Sequence, residues 1–391
     1  MSLLLADFRS LRPKHRPSQA GTLAWLAQAH TRAEAHSAAQ AGRAFDEPAF
    51  LATMVRRLER FGCASPNISF RGHELDDCSH SRWAEMEVYR LSEQGSGRGM
   101  RARTKAFTRI ASAAVSQLFV EVDAPPQELI HVSCTGYESP SAAQLLVAAK
   151  GWGRSTRVLH AYHMGCYAAL PAVRMAAGLA SLANARSPGS EARVDIVHTE
   201  ICSLHLQPLR HEPEQLVIQS LFADGNICYS VQPEAGFHGR GSALAILSQD
   251  EWVVPDSAES MAWFCADSGM EMVLSRDVPE KIIASLEAFV MSLLQQSGQQ
   301  ASAIEHATFA IHPGGPKIVD QIAASLGLTE AQIAFSRAVL RERGNMSSAT
   351  LPHIWQAIAA SPQVAAGELV VSLAFGPGLT LAGAVLRKVC P

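Results

Sequence analysis

The chain has 391 residues, 48% of them apolar and 18% charged, which excludes a disordered or coiled-coil protein and predicts two lobes of about 150–200 residues or one large duplicated unit. Thirty-three basic against 36 acidic residues leave a net charge of −3, too even for electrostatic nucleic-acid binding. No apolar run reaches the roughly 18–20 residues of a membrane span, and the N-terminal basic residues follow the apolar start instead of preceding it, so a soluble cytoplasmic protein is expected.

Residues 1–18 are polar and Pro/Arg-rich and read as an arm, disordered or clasping a partner subunit. From about 46 to 62, Phe50, Met54, Leu58 and Phe61 recur at helical spacing. GSGRGMR (95–101) reads as a mobile basic loop: it lacks the spacing of a dinucleotide-binding or P-loop motif. It leads into a helix, KAFTRIASAAVSQLF, then a strand, ELIHVSCTG, and a helix, SPSAAQLLVAAKG. STRVLHAYHM reads as strand, CYAALPAVRMAAGLASLA as helix and ARVDIVHTEIC as strand, with a Gly/Ser-rich surface loop at 184–192. LVIQSLFADG is helix then turn; NICYSVQP and SALAILSQDEWVVP are strands. Helix VPEKIIASLEAFVMSLLQQSG, strand ATFAIHPGG, helices KIVDQIAASLG, EAQIAFSRAVLRERG and SSATLPHIWQAIAAS, and a strand–turn–strand, LVVSLAFGPGLTLAGAVLRKV, complete the chain. This alternation predicts an α/β protein with a largely buried mixed sheet.

Eight cysteines, with no CxxC pair, fit neither a disulfide framework nor a zinc site, and no metal is expected. Cys166 follows a Gly where a strand ends and an apolar helix begins; free N–H groups and the helix dipole there favour a thiolate, although a buried structural thiol fits the same position. His312 ends a strand before a glycine pair, where it is equally a capping residue. Asn345 follows a helix-ending glycine, where it serves as an N-cap or as an amide donor to an oxyanion.

The blocks HMGCYAALPAVRMAAGLA, TEICSLHLQ, SLFADG, IHPGGPKIVDQIAASLGL, AVLRERGNMSSAT and AFGPGLT occur in one order and resemble the type III polyketide synthases, the chalcone-synthase-like branch of the thiolase fold. The resemblance implies a duplicated αβαβα layered architecture with mixed five-stranded sheets, residues 19–240 carrying the cysteine and 241–391 the histidine and asparagine. It implies Cys166 as acyl-carrying nucleophile, ion-paired with His312, with His312 and Asn345 holding the oxyanion formed when malonyl-CoA loses carbon dioxide. No cofactor is implied beyond the coenzyme A thioesters, and the assembly implied is a homodimer.

Further residues follow by position. Phe222 matches an aromatic gatekeeper, Met272 a second one, and Cys202, His205, Ile218 and Ser347 fall on the substrate cavity. Arg57 and Arg60, with Gly314, Gly315 and Lys317, fall where the family contacts coenzyme A. Ser139 replaces a bulky apolar residue at the dimer interface, and Gly376, Pro377 and Gly378 shape the cavity floor. Met272 is flexible and apolar, which suits a fatty acyl starter and an alkylpyrone or alkylresorcinol product. Two other readings share these residues: a single-step ketoacyl synthase III-like enzyme fed by a carrier protein, and a non-catalytic acyl-CoA-binding subunit.

Overall fold

The computed structural model describes residues 2–187, 192–235, 237 and 241–390; the centre of the 184–192 loop, and the residues just before the expected boundary at 240–241, lie outside the described residues. The first lobe comprises β1 (Leu3–Ser10), α1 (Gln19–Gln40), α2 (Glu47–Phe61), α3 (Met100–Leu118), β2 (Glu128–Ser133), α4 (Ala142–Ala149), β3 (Arg157–Tyr162), α5 (Ala169–Arg186), β4 (Val194–Glu200), α6 (Pro213–Leu221) and β5 (Gly225–Pro233). The second comprises β6 (Ala243–Val253), β7 (Met261–Ala266), β8 (Gly269–Leu274), α7 (Val278–Gln296), β9 (Thr308–Ile311), α8 (Pro316–Leu326), α9 (Ala334–Arg343), α10 (Thr350–Ala360), β10 (Leu369–Gly376) and β11 (Thr380–Val389).

Nine strands join in the order β3-β2-β4-β5-β1-β6-β11-β10-β9, and β7–β8 form a separate hairpin. Read outward from the β1–β6 junction, both halves repeat one plan: two antiparallel steps, then parallel strands. Alternation along the strands builds the layers. In β4, Val194 and Ile196 face a cluster containing Ala172, Val173 and Ala176 of α5 and Ile354, Trp355 and Ile358 of α10, while Val197 faces α3 and α4. Phe309, Ile311, Val371 and Leu373 face α7 and α8. The result is a thiolase-type α/β architecture, with α5 and α10 as the shared central layer and helices outside each half-sheet.

Two expectations change. Residues 3–10 are no arm: Leu4, Leu5 and Ala6 are fully buried, and β1 hydrogen-bonds to β5 on one side and β6 on the other. The apolar run LLLA tolerates burial on both faces, and the polar Arg/Pro-rich text begins only after it. The half-sheets are also unequal, five strands against four among the described residues. The chain between α8 and α10, where the repeat would place a counterpart of β3, reads AFSRAVLRER and forms α9, because its apolar residues recur at helical and not alternating spacing.

The GSGRG loop is anchored. The buried Arg103 side chain donates to the carbonyls of Arg98 (2.8 Å), Ser96 (2.9 Å) and Leu204, so the loop wraps a guanidinium. No described helix is long and apolar enough to cross a membrane.

Candidate active site

Cys166 sits in the turn between β3 and α5. Gly165 has φ +83°, and a Cβ there would lie 2.5 Å from Pro377 Cδ, so only glycine lets the β10–β11 turn close over the cysteine. Gly376 is equally constrained, since a Cβ would meet Tyr167 Cδ1 at 2.2 Å. Pro171 falls in the first turn of α5, where a missing N–H costs little.

Asn345 is positioned by backbone exchange with the segment after α6. Its N–H donates to Leu221 O (3.0 Å) and its carbonyl accepts from Ala223 N (2.7 Å). Its side-chain Oδ1 accepts from Ser347 N (2.9 Å) and Thr350 Oγ1 (3.3 Å), which fixes the amide and leaves buried Nδ2 without a well-formed partner. Ser347 adopts φ +50°, an uncommon conformation for a residue with a side chain and one held here by that amide. Cys166 Sγ donates to Ser347 Oγ at 3.8 Å.

His312 follows β9, and its N–H donates to Leu373 O of the neighbouring β10 (2.8 Å). That anchor sets it at the end of the sheet where the β10–β11 turn meets Gly165. His312 is 1% exposed, and neither ring nitrogen has a hydrogen-bond partner among the described residues. Leaving such groups unsatisfied costs about 1–3 kcal/mol each, a cost that folding stability alone gives no reason to keep.

The electrostatics differ from the expected resting ion pair. Burial pushes the Cys166 thiol up to about 12; the Ser347 hydroxyl opposes this, the Glu200 carboxylate adds to it, and the Asn345 amide opposes it. Burial drives His312 down to about 3. Desolvation thus works against the thiolate and the imidazolium alike.

A cavity opens on Cys166. Phe222, Met272, His205, Cys202, Ile218 and Ser347 all line it; His312 and Asn345 do not. His205 has no free nitrogen for chemistry: Nε2 donates to Thr135 O (2.6 Å) and Nδ1 accepts from Met270 N (3.1 Å), which requires the neutral ring. Gly315 lies beside Leu221, and Gly314 and Lys317 are exposed before and on α8. Arg57 donates to His211 O (2.8 Å), and Arg60 stacks on Phe61 of its own helix (5.1 Å), so neither guanidinium is an unengaged cation.

Three contributors escaped the sequence reading. Trp263 of β7 lines the cavity and packs edge-on to His205 (6.0 Å); its hairpin has a weak alternation and an unremarked ADSG turn. Cys134 adds a third thiol to the wall beside Cys166 and Cys202, with its Sγ accepting from Gly165 N (3.0 Å). Glu200 accepts from Cys134 N (3.0 Å), Thr135 Oγ1 (2.9 Å) and Ser348 Oγ, while burial lifts its carboxyl to about 7. It stood in TEIC, but nothing in that text distinguishes a buried carboxylate from a strand-end acid.

Comparison with known proteins bears on this arrangement. The chain is 30% identical over 264 residues to probable polyketide synthase 1 of Dictyostelium discoideum, covering 67% of this chain and 8% of that protein. It is 26% identical over 268 residues to type III polyketide synthase A of Arabidopsis thaliana, covering 66% of this chain and 65% of that protein. It thus spans less than two thirds of either relative. Among solved structures, PKS-I from the brown alga Ectocarpus siliculosus superposes with a TM-score of 0.81 at 20% identity over 99% of this chain and 98% of that one. Residues 100–232 match the N-terminal domain of the chalcone and stilbene synthases and residues 245–390 their C-terminal domain, so the chain belongs to the family of type III polyketide synthases.

Proposed function

We propose that the protein loads an acyl-CoA starter on Cys166 and extends it by decarboxylative condensation with malonyl-CoA. The observation that carries this reading is a buried thiol opening on an apolar cavity, with a fixed amide beside it and a wholly unpartnered imidazole at the same end of the sheet. Cys166 Sγ attacks the thioester carbonyl as His312 takes its proton; the imidazolium returns that proton to the departing coenzyme A thiolate. Malonyl-CoA then loses carbon dioxide, and the negative charge on its thioester oxygen is met by N–H donors of neutral His312 and Asn345. Each well-placed donor contributes about 3–4 kcal/mol in a water-poor site. The resulting carbanion attacks the acyl-Cys166 carbonyl and frees the thiolate, and the lengthened chain remains a coenzyme A thioester. No step in this sequence calls on a metal or redox group.

A fatty acyl starter and an alkylpyrone or alkylresorcinol product fit the wall made by Met261, Met270, Met272, Ile218 and Trp263, which is apolar and, through its methionines, adaptable. The protein is proposed to work as a cytoplasmic homodimer, and β3, which among the described residues pairs with β2 alone, offers an open sheet edge at the side of the first lobe.

The test is intact-mass spectrometry after incubation with acyl-CoA starters of graded length, followed by product analysis with malonyl-CoA. Mass should be added to the wild type and not to Cys166→Ala, with medium or long starters giving the best turnover. Acylation of the Cys166→Ala protein would refute the nucleophile. Turnover of malonyl-carrier protein but not malonyl-CoA favours a ketoacyl synthase III-like enzyme, and no carbon dioxide release from either favours a non-catalytic subunit.

A further inference from the structure

A second, open hollow shares its wall with the catalytic segments. Phe222 and Ser347 line the cavity at Cys166, whereas Asp224 and Met346 line the second hollow. Its other side is basic. Arg12 and Arg16 enter from the segment after β1, and Arg343 from the last turn of α9.

Their countercharge is incomplete. Glu342 is paired with Arg16, which also lies over the Phe70 ring at 4.1 Å. Asp224 is occupied: it accepts from Glu74 N (2.7 Å), Ser203 N (2.8 Å) and Ser203 Oγ (2.6 Å), and burial lifts its carboxyl to about 7. The side chains of Arg12 and Arg343 make no hydrogen bond or ion pair among the described residues. A last-turn arginine ordinarily caps free helix carbonyls, yet Arg343 does not. Burial, Arg16 and Arg12 all disfavour its charge, and only Glu342 supports it. Arg12 and Arg16 are exposed and Arg343 is partly buried, and like charges crowded together in this way are stabilised when an anion arrives between them.

We propose that this hollow binds a phosphate ester, with Arg12 and Arg343 holding the phosphate and Arg16 completing the cluster. Guanidinium forks match phosphate oxygens in pairs, and two uncommitted cations suit a dianion. Pro13, Ala338, Val339 and Met346 give the organic portion an apolar surface. The phosphate has two sources, the nucleotide end of a coenzyme A thioester or a separate phosphorylated metabolite.

Titration calorimetry of the full chain with pyrophosphate and with adenosine 3′,5′-bisphosphate tests the site. Wild type should bind at least one probe; Arg12→Ala and Arg343→Ala should each weaken binding tenfold or more, and Arg343→Glu should abolish it, with melting temperatures recorded to verify folding. If the bisphosphate binds and both alanine variants raise KM for malonyl-CoA, the source is coenzyme A; if pyrophosphate binding follows the variants while KM is unchanged, it is a separate metabolite. Cys166→Ala should bind the probes like wild type, so the site and the acyl-transfer reading stand or fall separately. No binding by wild type, or equal affinity in both alanine variants, overturns the proposal.

Discussion

At Cys166 the surrounding charges set when the sulfur can react. Glu200 raises the thiol and Ser347 lowers it, so the two substitutions should move it in opposite directions. In mass-monitored alkylation with iodoacetamide across pH, Glu200→Gln should shift the Cys166 inflection to lower pH and Ser347→Ala to higher pH. In wild type at pH 8 it should alkylate more slowly than exposed Cys265 and Cys390. An unchanged inflection in Glu200→Gln would separate the carboxylate from the sulfur. Asn345→Ala should retain acyl loading, whereas His312→Ala, lacking the base that takes the Cys166 proton, should load more slowly; each should lose about 10²–10³-fold in carbon dioxide release from malonyl-CoA. Cys166, His312 and Asn345 stood out in the text because each interrupts a recognisable strand or helix next to a glycine. Trp263 and Glu200 did not, because what makes them matter is contact between segments distant in sequence.

Helices and strands with a clear period were readable, and those without one were not. α2 and α8 carry compact apolar stripes, and their positions follow from the letters. α1 is alanine-rich, and its buried residues lie around much of its circumference, so no stripe announces it. β1 was missed because four apolar residues before a basic stretch look like a tail. Its burial predicts that Leu5→Ala costs about 2–5 kcal/mol in urea unfolding. A cost near zero would mean that the strand is peripheral. At the turn that carries the nucleophile, Gly165→Ala should separate Cys166 from the β10–β11 turn and abolish acyl loading while the far-ultraviolet circular dichroism stays native.

For the whole molecule, buried titratable groups set the pH range of stability. His30, His131, His198, His205, His312 and His353 are each driven to about 3, chiefly by burial. Stability from a depressed group is present above its unfolded value near 6.5 and is lost as pH falls toward 3. Asp195, Glu200 and Asp224 are raised to about 6, 7 and 7, so their contribution is present below about 4 and is lost as pH rises through those values. Histidines outnumber carboxylates, so the melting temperature should climb from pH 4 to near 7 and then level off. A curve that falls across that interval would contradict the buried neutral rings. The duplicated architecture was legible from alternating elements and ordered motifs, but its asymmetry, with α9 in place of a strand, was not. That substitution depends on which neighbours remain to be paired once the sheet has formed.

The central position of β1 has a consequence for how the molecule comes into being. This strand leaves the ribosome ahead of both of its neighbours, which are translated more than two hundred residues later. Closing so long a stretch delays pairing until most of the polypeptide has emerged. Until then LLLA is an unclaimed sticky segment, which makes nascent chains halted before β6 the ones most in need of a chaperone.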